Sequence, residues 1–238
     1  MKRIRLLGTT LLASTTLLGA GQAFAATTGT TAAPASTTTE VQATLTLPND
    51  GGENQDPPSS VDSQNPSDPG NKSNNPTQAF GIAYQPNVFK FGTQTLKDSG
   101  AQEFTATVPT SGDKAFHVGV KDKTRETKGW TLNASLTGDV ANIPGVSMSL
   151  GNSTGTVKEN TNTGLVEAPS GSVRGQSTIE LSKDSGNVPV MIGQNDFLHN
   201  SIYDYQLGTP TLKIANAKVV AAKAYTGAVN WDLSVVAN

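Results

Sequence analysis

The chain has no cysteine. That excludes disulfides, thiolate metal sites, thiol nucleophiles and a lipid-modified lipobox cysteine. A domain without such staples must be held by its core, and a chain of this length buries enough apolar surface to build one. Histidine is scarce as well: only two occur, His117 and His199. No GxSxG or HExxH frame accompanies them, so neither a serine-type nor a zincin-type mechanism has its parts. His199 with Asp196 and Asp204 is a conceivable metal set, but a satisfied histidine is the plainer reading. Thirteen acidic residues follow position 78, and nothing singles out two as a glycosidase pair. The expectation is no catalysis, no cofactor and no metal.

Positive charge is also short once the N-terminus is set aside. Lys2, Arg3 and Arg5 precede an apolar Leu6–Leu18 stretch and an Ala23-Phe24-Ala25 cleavage pattern. That order reads as a secretory signal peptide over residues 1–25, too short to span a bilayer. Its removal leaves 14 basic against 19 acidic residues, a net of −5. No basic run survives to attract nucleic acid or anionic lipid. A secreted protein without direct membrane insertion is expected.

Residues 26–39 are small and hydroxylated and read as disordered. Residues 40–238 form the domain. It opens with EVQATLTLP, where Val41, Ala43, Leu45 and Leu47 alternate with polar partners as in a half-buried strand. Residues 48–78, with six prolines and a net charge of −4, read as a polar loop or linker within it. Beyond 78 no long helical period occurs. Ten short strands are expected, among them Phe80–Tyr84, Ala115–Val120, Trp130–Leu136, Val219–Tyr225 and Ala228–Val236. A short helix is allowed over Asn195–Tyr203. The fold class is all-β, a sandwich or barrel of mainly antiparallel strands.

Tryptophan is the last scarcity. The two present stand in KGWTLNAS and VNWDLSVV, each followed after one residue by leucine. In a strand, residues i and i+2 share a face. Trp130 therefore faces with Leu132, and Trp231 with Leu233. A leucine beside each ring favours two core anchors. The alternative is a pair of exposed rings that stack on sugars. Asp122 and Arg125, before the first motif, read as a turn or a local ion pair, with ligand contact as the alternative. Tyr203 and Tyr205, with Phe197, are aromatic candidates for sugar or partner contact; the competing reading packs them over the end of the sandwich.

These stretches, in order, resemble the WxL-domain surface proteins of low-GC Gram-positive bacteria. KGWTL and NWDL resemble the paired Trp-x-Leu motifs. VGVKDKTRETKGWTL resembles the approach to the first, with Asp122 and Arg125 in place. FGIAYQPNVFKFGTQTL resembles the proline-aromatic-Phe-Gly-Thr segment. Asp232, Lys90 and the SVVAN tail depart from the family's usual residues. The resemblance covers roughly residues 38–238. It implies non-covalent attachment to the cell wall with peptidoglycan as ligand. It also implies companion surface proteins, including other WxL proteins and membrane-anchored partners. No LPxTG-like site follows Leu233, so any hold on the wall is expected to come from the folded surface. The alternative function is a protein-interaction subunit of a surface complex, with wall retention secondary.

Overall fold

Alternation of apolar and polar residues, broken every few positions by Gly, Pro, Asn or Asp, produces short strands and no α-helix among the described residues. The computed structural model describes residues 38–58, 60–62 and 65–236. The signal-peptide reading lies outside them. Two units divide the chain, Met1–Thr44 and Leu45–Asn238. Of the first, residues 38–44 are described; they are exposed and belong to no strand or helix.

All strands among the described residues belong to the second unit. They begin with β1 (Ser60–Asp62), β2 (Asn65–Pro69) and β3 (Asn71–Ser73). Next come β4 (Phe80–Pro86), β5 (Gln102–Thr105), β6 (Ser111–Gly112), β7 (His117–Asp122) and β8 (Trp130–Gly138). The middle holds β9 (Val146–Ser149), β10 (Val157–Thr161), β11 (Gly164–Glu167), β12 (Val173–Gly175), β13 (Glu180–Leu181) and β14 (Val188–Gly193). The chain closes with β15 (Ser201–Gln206), β16 (Thr211–Ile214) and β17 (Gly227–Val235).

Every pairing among the described strands is antiparallel. A six-stranded sheet runs β11-β10-β15-β7-β4-β3, one four-stranded sheet β12-β14-β8-β17, and another β13-β9-β16-β5. A small ribbon joins β2, β1 and β6. The three larger sheets share one core. Val118, Val120, Tyr203 and Tyr205 enter it from the first, Trp130, Leu132 and Met191 from the second, Met148 and Leu212 from the third.

The central strands β7 and β15 are buried on both faces, so they lack the alternation of a half-exposed strand. Part of that cover is the proline-rich stretch. Lys121 on β7 is buried, and its ammonium donates to Gly52 O (2.7 Å), Asn54 Oδ1 (3.0 Å) and Pro76 O (3.0 Å). Asn160 Nδ2 reaches Asp56 O at 2.8 Å. Gly51 makes the close approach: its φ is +71°, and a Cβ there would lie 2.4 Å from Gln78 C. Residues 48–78 thus carry three short strands and are tied to the six-stranded sheet at 52, 54, 56 and 76.

Three expectations change. EVQATLTLP has a strand's alternation but no ladder partner among the described residues; Val41 and Leu45 are 87% and 93% exposed. Val219–Tyr225 is a 3-10 turn (Ala217–Val219) followed by irregular chain, because Asn216 caps the turn at Lys218 N. Asn195–Tyr203 holds no helix. His199 N bonds back to Glu126 O, and from Ser201 the chain enters β15.

Candidate functional site

β8 and β17 are direct neighbours over nine residue pairs. Leu132 lies opposite Leu233, Trp130 opposite Val235, and Trp231 opposite Ala134. Directly opposed residues share a face. The two leucines therefore meet across the ladder, and each tryptophan stands two places from that pair in opposite directions. Ala134 leaves lateral room for the larger indole across from it.

The motifs then part company. β8 is an interior strand, between β14 and β17, and its inward residues from Trp130 to Leu136 are buried: Trp130 is 1% exposed and Leu132 0%. The Trp130 ring lies against the backbone of Gly193, where a Cβ would fall 2.4 Å from the indole. Tyr203 and His199 flank it, with ring centroids 5.9 and 6.2 Å away. Its indole N–H has no hydrogen-bond partner among the described residues. This first motif is a core anchor.

β17 is an end strand, and its inward residues Val229, Trp231 and Leu233 are only half-buried. Trp231 lines a groove of about 270 Å3 with Phe89, Phe91, Tyr225, Leu136 and Val140. Phe89 is braced edge-on by Phe116, with centroids 5.0 Å apart. The Tyr225 hydroxyl donates to Ala221 O at 2.9 Å, and the Lys223 ammonium sits 4.9 Å from the ring centre. No charged side chain among the described residues lines the groove. Phe89, Phe91 and Tyr225 were not singled out by the sequence reading. The i, i+2 spacing of Phe89 and Phe91 around exposed Lys90 is the signal that could have found the first two.

The other candidates are dispersed. Asp122 is buried and caps a turn, accepting from Thr124 N (3.1 Å) and Thr124 Oγ1 (2.7 Å). Arg125 is exposed, with a left-handed φ of 56°, and its N–H donates to His199 O at 2.9 Å. The turn reading therefore describes Asp122. Tyr203 and Tyr205 are interior, 1% and 0% exposed, which removes both from any contact surface. Burial, then the charges of Glu159 and Asp122, hold the Tyr203 hydroxyl well above its usual range. The Tyr205 hydroxyl donates to Gln176 O at 2.6 Å.

The histidines are buried and committed. His199 donates from Nε2 to Gln194 O (2.9 Å), and its Nδ1 accepts from the Tyr203 hydroxyl (3.1 Å). His117 donates from Nδ1 to Asp204 (2.9 Å) and from Nε2 to Asp113. Asp204 also accepts from the Tyr84 hydroxyl at 2.8 Å. Burial opposes charge on His117, yet the bonds to Asp204 and Asp113 and their charges outweigh it and raise its pKa. Asp204 thus serves His117 rather than His199. No metal-binding cluster occurs among the described residues.

An antiparallel β-domain with interior histidines and an aromatic groove beside an end strand has the make-up of a binding module. A profile of the WxL domain, described as surface cell wall-binding, matches residues 29–236. The chain belongs to that family, and its place is the extracellular cell-wall surface. Searches of curated proteins and of solved structures return no match. No helix among the described residues is long and apolar enough to cross a membrane.

Proposed function

We propose that this domain holds non-covalently to peptidoglycan, without catalysis, through the groove that Trp231 lines. The observation that carries the reading is the split between the motifs. Trp130 is spent on the core, whereas Trp231 stays half-exposed among Phe89, Phe91 and Tyr225. Aromatic faces stack on the C–H faces of pyranose rings, and Tyr adds a hydroxyl at its rim. The test is sedimentation of the pure protein with bare, protein-free sacculi. Recovery in the pellet without release of soluble muropeptides is expected. Protein left in the supernatant defeats the proposal.

A second reading has its own support. The free edge of β17 suits a protein partner, as in a surface complex with other WxL proteins or membrane-anchored proteins. Retention on sacculi only after a surface partner is added would favour it.

A further inference from the structure

We propose that residues Glu40–Leu47 of one copy add as a strand to the free edge of β17 in a second copy of this chain. The donor is a strand in pattern only. Val41, Ala43, Leu45 and Leu47 alternate with Glu40, Gln42, Thr44 and Thr46, yet the segment has no ladder partner among the described residues. Leu47 is 40% exposed, and Val41 and Leu45 almost wholly so. Exposed alternation of this kind gains by pairing, since a new strand satisfies the main chain and buries one face together.

The acceptor is equally specific. β17 is nine residues long, pairs with β8 on one side, and has no ladder partner on the other among the described residues. The remaining end strands of the larger sheets, β3, β5, β11, β12 and β13, have two to four residues each. Only β17 matches an eight-residue donor. It carries no proline and no lysine, the usual guards of an exposed edge; Asp232 is its one charge. The apolar groove opens beside this edge and suits alternate Val, Ala and Leu side chains of an added strand.

A second copy is the occupant because each chain carries both halves. Gly52, just past the donor, is tied to the six-stranded sheet by the Lys121 ammonium, which donates to its carbonyl. β17 ends a different sheet. The donated strand would overlie the groove assigned above to the wall. The measurement is therefore made without wall material, and its failure leaves the wall assignment standing.

Sedimentation velocity on the chain from residue 26, across a concentration series, should show a monomer–dimer equilibrium. The variant Val41→Asp/Leu45→Asp should weaken dimerisation by roughly a hundredfold, a factor of about ten for each apolar side chain lost from the contact. Both positions are exposed, so at concentrations where the parent is monomeric the two melting temperatures should match. Hydrogen exchange should slow at residues 40–47 and in β17 together as the dimer forms, and stay fast in the variant. A monomer at every concentration overturns the proposal, as does a dimer that survives the double substitution. Slow exchange of residues 40–47 in a monomer also overturns it, because the strand would then have docked on its own chain.

Discussion

Alanine at the two motif tryptophans should separate folding from wall binding. Trp130 is 1% exposed, so its ring is withdrawn from water almost completely. A tryptophan buries about 150–250 Å2, which at about 25 cal/mol per Å2 corresponds to roughly 4–6 kcal/mol. Large-to-small aromatic substitutions in cores cost about 3–5 kcal/mol. Domains have only about 5–15 kcal/mol of net stability. For a domain of this size, each kcal/mol is about 2–4 °C of melting temperature, so Trp130→Ala should melt roughly 6–20 °C early. Trp130→Phe should be milder than its lost area suggests. It also removes an indole N–H that has no partner among the described residues, and a buried unpaired donor costs about 1–3 kcal/mol. Trp231 is half-buried, so Trp231→Ala should cost about half as much, roughly 2 kcal/mol, and leave the domain folded. Its effect should appear in the sacculus pellet, which loses the protein at temperatures well below the melt. Thermal melts and sedimentation on the same three variants decide the matter. Trp130→Ala melting within a degree or two of the parent would refute the core assignment. Folded Trp231→Ala with full wall retention would refute the groove.

Three further outcomes follow from the same geometry. His117 has a raised pKa in the fold, so its contribution to stability is full below the unfolded value of about 6.5 and is lost as pH rises through the folded one. Asp204→Asn, which removes the strongest partner, should flatten that fall in a melting series from acid to mildly alkaline pH; a profile unchanged by the substitution refutes it. Gly193→Ala places a Cβ 2.4 Å from the Trp130 ring and should destabilise by about 1–3 kcal/mol in chemical denaturation, whereas an unchanged midpoint would show that the ring has room to move. Lys121→Met strips the ammonium from three acceptors on the 48–78 stretch and should open that stretch to limited proteolysis. Parent-like resistance would mean that other contacts hold it.

The all-β class was legible because alternation and turn residues are local signals, and β8 shows them undiluted from Trp130 to Leu136. Thr211–Ile214 is a strand in both sequence and structure. Legibility failed where the outcome depends on a distant neighbour. The alternation of Val41 to Leu47 is as regular as that of β8, but a strand needs a ladder, and the sequence cannot say whether one is offered. Val157–Thr161, with Lys158, Glu159 and Asn160 at its centre, and the short Gly164–Glu167 carry little strand signal of their own; the first is a strand by pairing with β15, the second by pairing with the first. Tyr203 and Tyr205 were read as candidates for contact because tyrosine is amphipathic. Their hydroxyls are instead used inside, on His199 and Gln176.

The two Trp-x-Leu triplets state the same limit most sharply. Period-2 geometry treats them alike: each ring shares a face with its leucine, and the leucines meet across one ladder. What differs is the number of neighbours. β8 has a strand on either side and a second sheet's side chains over its face, so Trp130 is sealed. Among the described residues β17 has β8 on one side only, so the matching Trp-x-Leu triplet leaves Trp231 and Leu233 half-open beside the Phe89–Phe91 segment. Position in the sheet order, which no local pattern encodes, turns one copy of the motif into scaffold and makes the other available for contact. Asp232 is consistent with that division. It takes the outward position on the edge strand, where a charge stays hydrated. Its counterpart Thr131 is uncharged and half-buried between two ladders.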